Sequence, residues 1–140
     1  MSEQKKNGYF VLTKNITAKQ PYHFVLKAPN HETILSSENY VTSRSARNGI
    51  TSVRTNSVSE KQFEIRTSKA SEPYFVLKAK NGEIIGVSEM YSSMQACEHG
   101  IKAVMKYAAQ ASLVDETDSD GDTAATVTLH PQRSKSNKYA

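Results

Sequence analysis

Two stretches of the chain carry most of its structural information: FVLKAPNHETILSSENY, from Phe24 to Tyr40, and FVLKAKNGEIIGVSEMY, from Phe75 to Tyr91. They lie 51 residues apart. Extending the comparison without gaps to 24–53 against 75–104 leaves 14 of 30 positions identical, where chance would give about two. The chain is therefore a tandem duplication, and each copy should adopt one supersecondary unit.

Each copy predicts three strands and a helix. Gly8–Leu12 and Gln62–Arg66 read as first strands, and polar turns ending at Pro21 and Pro73 lead into second strands over Tyr22–Ala28 and Tyr74–Ala79. With a period of two, Phe24, Leu26 and Ala28, and likewise Phe75, Leu77 and Ala79, face the core, whereas Val25, Lys27, Val76 and Lys78 face away. Asn81-Gly82 is a favoured hairpin pair and Asn30-His31 its weaker twin, each leading into a third strand at Thr33–Ser36 or Glu83–Val87. Ala46, Gly49, Ile50 and Val53 then recur at helical spacing, as do Cys97, Gly100, Ile101, Val104 and Ala108. Ser92 with Gln95 reads as a capping box. The repeated mid-helix glycine implies close approach of helix to strand, because glycine there costs about 1 kcal/mol against alanine.

One βββα unit of about 50 residues buries too little to stand securely alone. The expected fold is thus α+β: two units sharing one antiparallel sheet, related by a pseudo-two-fold, with both helices on one face. Residues 1–7 read as a flexible start, 8–54 and 62–109 as the two units and 55–61 as a linker. Residues 110–140 read as a disordered tail, acidic and then basic.

The repeated PYHFVLKAPNHETILSSENY (21–40) and PYFVLKAKNGEIIGVSEMYSS (73–93), each followed by a helix holding Asn48-Gly49-Ile50 or His99-Gly100-Ile101, resemble the YegP-like family of small proteins. The resemblance spans about residues 8–108. It implies the tandem βββα architecture and single-unit relatives that assemble as homodimers around the same sheet. It implies no catalytic activity and no cofactor. His99 where the family favours Asn, Pro29 and His31 in the first turn, and the tail depart from the pattern.

Charge and motifs narrow the function further. Residues 1–112 carry 15 Lys or Arg against 9 Glu and no Asp, whereas LVDETDSDGD (113–122) holds five acids and no base. A body without aspartate lacks the usual partner of a catalytic histidine. His23, His31, His99 and His130 share no metal spacing, and Cys97 and His99 fall on different sides of a helix. Read as a calcium loop, the acidic run would place Val127 where a bidentate acid is needed. MSEQKKNG lacks an apolar leader, which makes the cytoplasm the expected compartment. No stretch is apolar enough for a membrane span.

What remains is binding. The helix-free sheet face, with Val25, Lys27, Val76 and Lys78 exposed, is the expected surface for a protein or small-molecule partner. The duplicated Ser-Glu-x-Tyr, containing Glu38 and Tyr40 in one copy and Glu89 and Tyr91 in the other, has two readings. Ser and Glu could satisfy backbone N–H groups at the helix entrance while Tyr packs on the sheet edge. Alternatively each motif forms a ligand site from a carboxylate and a phenol. Weak nucleic-acid binding through the basic body, including Arg44, Arg47 and Arg54, is the competing function, although inward-facing Phe24 and Phe75 would leave it without a stacking platform. The chain is expected to be a monomer with internal dimer-like symmetry.

Overall fold

A computed structural model describes residues 6–117. The first unit supplies β1 (Tyr9–Lys14), β2 (Tyr22–Lys27), β3 (Thr33–Ser36) and α1 (Ser43–Asn56); the second supplies β4 (Phe63–Thr67), β5 (Pro73–Lys78), β6 (Ile84–Val87) and α2 (Met94–Tyr107). A further strand, β7 (Ser112–Asp115), follows α2. The seven strands form one sheet in the order β4-β5-β6-β3-β2-β1-β7, antiparallel except where β7 runs parallel to β1. The fold is α+β, with the two helices packed across one face, as the repeat predicts.

The two units meet through β3 and β6, and their register pair is Ser36 opposite Val87. These positions are equivalent under the 51-residue shift, so the pseudo-two-fold passes between them. On the helix side the neighbouring equivalent pair is Leu35 and Gly86. A Cβ on Gly86 would lie 2.6 Å from Leu35 Cδ2. Two large side chains cannot both occupy this axis, and the chain resolves the conflict with one leucine and one glycine.

The core lies between the sheet and the helices. Phe10, Leu12, Phe24, Leu26 and Leu35 meet Phe75 and Leu77 across it, under Ala46, Ile50 and Val53 of α1 and Cys97, Ile101 and Val104 of α2. Ile34 and Ile85 join the same core although they alternate with other inward residues. The register shifts between Leu26 and Lys27, and again between Leu77 and Lys78, which makes Ile34 and Ile85 the extra residues of two equivalent β-bulges. Strict period-two reading cannot anticipate this.

Tyr40 stacks on Phe24 with ring centroids 6.1 Å apart, and Tyr91 stacks on Phe75 at 6.2 Å. Gly49 and Gly100 sit directly over these rings. A Cβ on either would collide with the tyrosine hydroxyl and lie 3.1 Å from the phenylalanine ring. The recurring helix glycine is therefore the notch that admits the aromatic stack. Helix entry is capped by Thr42, whose hydroxyl accepts from Ser45 N at 3.0 Å, and by Ser93, which accepts from Ala96 N at 3.0 Å. The cap of α2 is thus Ser93, one residue later than the expected Ser92, because Ser93 holds the extended backbone that a cap requires.

Both β-hairpins read as Asn-Gly-like turns close differently from a two-residue turn. His31 N donates to Ala28 O at 2.8 Å and Ala28 N to Glu32 O at 2.9 Å; Gly82 and Glu83 repeat this with Ala79. Only His31 (φ 75°) and Gly82 (φ 90°) are left-handed; Asn30 and Asn81 are not. Each is a tight turn closed by one left-handed residue. His31 shares a 2.8 Å hydrogen bond with the Tyr9 hydroxyl, which offsets part of the strain glycine would avoid.

The segment expected to begin the tail is ordered at its start. β7 pairs Leu113 with Phe10 and Val114 with Val11, and two arginines of α1 hold it in place. Arg54 donates to Ala111 O at 2.8 Å, and Arg47 is ion-paired with Asp115. Alternation in SLVD is too short to stand out beside five acids. The expected linker is also shorter than read, since α1 runs through Asn56 and a helical turn occupies Glu60–Gln62. Expectations for 1–5 and 118–140, including most of the calcium-loop reading, lie outside the described residues. Among the described residues, no helix is long and apolar enough to cross a membrane.

Two outcomes test these packing arguments. Leu35→Gly and Gly86→Leu should each destabilise by about 2 kcal/mol or more, the first by a cavity and the second by overpacking. The double swap should recover much of that loss in urea unfolding; strict additivity of the two losses would refute the axis argument. Gly100→Ala should cost about 1–3 kcal/mol despite alanine's better helix propensity, measured the same way.

Candidate ligand groove between the repeats

The sheet brings Val25 and Val76 into one register row. Across all seven strands it reads Glu64, Val76, Val87, Ser36, Val25, Val11 and Val114. These side chains shield one another on the helix-free face. Val25 is only 7% exposed and Val76 only 1%, so neither is the exposed anchor expected from the sequence. Glu64, opposite Val76, also binds Lys78 at 2.6 Å and Arg66 at 3.1 Å, and these bonds pull its carboxyl below the ordinary range. Lys27 and Lys78 are half-buried, and Lys78 already has a partner. The surface is a salt-bridged valine row rather than an open apolar patch.

The Ser-Glu-x-Tyr motif is used otherwise than at the helix entrance. Ser37 Oγ accepts from Phe24 N at 2.9 Å and donates to Glu38 O at 2.6 Å; Ser88 does the same with Phe75 N and Glu89 O, at 2.9 and 2.7 Å. The serine hydroxyl thus stands in for a backbone carbonyl, and pairing resumes beyond it where Tyr40 N donates to Tyr22 O at 2.7 Å and Tyr91 N to Pro73 O at 2.8 Å. Glu38 and Glu89 remain exposed. Tyr40 and Tyr91 are half-buried, and burial is the leading cause that raises both phenols above their usual value.

Each tyrosine also feels the charge of a carboxylate from the other repeat. After burial, charge on Cys97, then Glu89 and last Glu32 raises Tyr91, and charge on Glu38 and then Glu83 raises Tyr40. α2 lies over β5 of its own unit but also reaches β3, and α1 reaches β6 in return. This crossing places the β2–β3 hairpin against α2 and opens a groove of about 430 Å³ between them. Such a volume lies within the range of small-molecule sites.

The groove has a small, apolar floor of Ala28, Ala96, Gly100 and Ala103, with Ile34 at one side. Tyr91, Tyr107 and His99 supply rings, and Asn30 and Glu32 stand on the hairpin rim. Of these, the sequence singled out Tyr91 alone as a site residue. Glu32 and Glu83 are identical between copies, which was the available signal, yet their tyrosine partners belong to the opposite copy and sequence order conceals that. The equivalent positions on α1 are Ser45, Asn48, Ser52 and Asn56 in place of Ala96, His99, Ala103 and Tyr107. Asn56 turns inward and donates to Ser52 O at 2.8 Å. The two halves share a backbone and differ in chemistry.

Other candidates are accounted for by packing. Cys97 is buried, and burial raises its thiol, an environment that suppresses the thiolate. Burial lowers His23 and so favours its neutral form. Among the described residues, no group of three or more His, Cys, Asp or Glu could hold a metal ion. Arg47 and Arg54 are engaged by the 111–115 segment, and Arg54 also lies 5.2 Å over the Phe10 ring. Phe24 and Phe75 are buried.

Comparison with known proteins gives consistent matches. The domain of unknown function DUF1508 matches twice, over residues 18–64 and 68–115. The UPF0339 protein YegP of Yersinia pestis is 59% identical over 85 residues, 61% of this chain and 76% of that protein. The UPF0339 protein YegP of Escherichia coli K12 is 44% identical over 110 residues, 79% of this chain and 98% of that protein. In three dimensions, the solution NMR structure of UPF0339 protein SO3888 from Shewanella oneidensis matches with a TM-score of 0.73 and 44% identity, covering 79% of this chain and 92% of that one. The NMR structure of E. coli yegP, described as a protein of unknown function, matches with a TM-score of 0.72 and 44% identity, over 79% and 93%.

The raised phenols set a pH dependence. Above pH 10 the unfolded chain ionises its tyrosines before the folded one does, so it binds fewer protons and stability falls as pH rises. Urea unfolding between pH 8 and 11 should show that decline. Tyr40→Phe with Tyr91→Phe should make it shallower.

Proposed function

The chain belongs to the YegP-like UPF0339 family, and on that premise we propose that it is a non-enzymatic binding module whose ligand surface is the groove between the β2–β3 hairpin and α2. The observation that carries this reading is that Glu32 and Tyr91, from different repeats, line one 430 Å³ space together with small residues. Concavity, an apolar floor and a few converging polar groups are what a small-molecule site needs. A reaction would ask for more: a nucleophile, a base that contacts it and a group that orients the base. Buried Cys97 is a poor nucleophile, and the groove's ring nitrogens and carboxylate make no such relay. The module would act in the cytoplasm as a monomer, since the internal two-fold already supplies what a second copy could.

The helix-free face, with Lys27 and Lys78, is the weaker surface because its valines are covered and Lys78 is paired with Glu64. Nucleic-acid binding loses Arg47 and Arg54 to the β7 clamp and both core phenylalanines to burial.

Amide NMR titration against a set of small aromatic, amine and carboxylate fragments tests the reading. Saturable shifts should gather at 28–34 and along α2 from Ala96 to Tyr107, and Ala103→Leu, which fills the floor, should abolish them. Shifts centred on Lys27 and Lys78 and indifferent to Ala103→Leu would overturn the assignment.

A further inference from the structure

We propose that the groove selects a small linear alkylammonium ion, with Glu32 and the surrounding rings receiving the ammonium and the small-residue floor receiving the alkyl chain. This rests on the groove being a ligand site. Three observations specify the ligand's chemistry.

The first is a carboxylate on a fixed mount. The backbone of Glu32 closes the hairpin on both sides, its N donating to Asn30 Oδ1 at 3.0 Å and its O accepting from Ala28 N at 2.9 Å. The backbone at Glu32 is thus held in the turn, and the residue lines the groove that α2 borders. The ion pairs found among the described residues join Arg47 to Asp115 and Arg66 and Lys78 to Glu64. Glu32 is in none of them, so its charge is available to an incoming cation.

The second is the set of rings. Tyr91, Tyr107 and His99 line the groove with Glu32. Aromatic faces attract cations by about 0.5–1 kcal/mol at exposed sites, and a nearby carboxylate adds to the same preference while repelling anions. Tyr107 already holds an ammonium: Lys106 Nζ lies 5.4 Å from its ring centroid. That side of the ring is thus already taken, which leaves Tyr91 as the ring that lines the groove with Glu32 for the ligand's ammonium.

The third is the floor. Ala28, Ala96, Gly100 and Ala103 present no polar side-chain atom, which suits methylene groups. A compact inorganic cation would leave that floor unused.

The repeat supplies an internal control. Glu83 holds the equivalent place in the second hairpin and also influences a tyrosine, Tyr40, but α1 opposes it with Asn48, Ser52 and Asn56 in place of His99, Ala103 and Tyr107. A carboxylate with Tyr40 but without counterparts of His99, Tyr107 and Ala103 should not suffice.

Amide NMR titrations at matched ionic strength with n-butylammonium chloride, n-butanol and sodium butyrate test the proposal on the full chain, on Glu32→Gln and on Glu83→Gln. The expected result is saturable shifts at 28–34 and 96–107, strongest for butylammonium and weakest for butyrate. Glu32→Gln should weaken butylammonium by about threefold to fivefold, the size of an exposed ion pair, and Glu83→Gln should leave it unchanged. Equal affinity for all three probes, or tighter binding of butyrate, would keep the groove as a site and overturn its cation preference. No saturable groove shift with any probe would count against the site as well. Equal weakening by both variants would reduce the effect to general acidity of the surface and overturn the proposal.

Discussion

Everything in this fold is arranged around a point where the chain must pack against its own copy. Ser36 faces Val87, and on the helix side the Leu35 side chain reaches diagonally across the axis over Gly86. At a true two-fold axis each residue meets itself, and a core position so close to the axis must be small on both sides or leave strain. Covalent fusion of the repeats removes that constraint, because the two sides can carry different residues. Leu35 fills the space of two side chains and Gly86 supplies none. The sheet thereby stays continuous through the axis, and the helices close over one core instead of two marginal ones.

The same freedom extends outward. Where the fold needs both copies to agree, they do: Ser37 and Ser88 extend the strand pairing, Tyr40 and Tyr91 stack on Phe24 and Phe75, and Gly49 and Gly100 make room for them. Where agreement is not required, they diverge. His31 takes the left-handed place that Gly82 fills without strain, and His99, Ala103 and Tyr107 replace Asn48, Ser52 and Asn56. The groove lies in this divergent set. Crossing of each helix onto the other unit then gives it walls from both repeats, so its composition can change without disturbing either stack.

The architecture was legible because duplication writes the pattern twice. The strand and helix assignments, the inward set Phe24, Leu26, Phe75 and Leu77, and the meaning of the helix glycines all follow from local period and repetition. What was not legible depends on residues distant in sequence. Exposure of Val25 and Val76 is decided by Val11, Val87 and Glu64 on neighbouring strands, and alternation says only which face a residue takes. The bulge that turns Ile34 inward breaks the period with no glycine or proline beside it, and only its counterpart at Ile85 has one, Gly86. Glu32 and Tyr91 were both visible, but their place on one groove requires knowing that α2 crosses to β3. β7 is four residues long, sits in acidic surroundings and finds its partner about a hundred residues earlier.

That last separation bears on the order in which the molecule assembles. Hairpins β2–β3 and β5–β6 close short loops, and each helix follows its own strands directly, so both repeats can collapse from local contacts. β7 can dock only after β1 has been placed by β2 and after α2 has delivered the chain to that edge. Its fasteners, Arg47 and Arg54, also require a finished α1. The strand is therefore the last piece to arrive during folding and the first to peel away in partial opening. Hydrogen exchange at 112–115 would then run ahead of exchange in β5 and β2, an opening of one edge that leaves the six antiparallel strands paired.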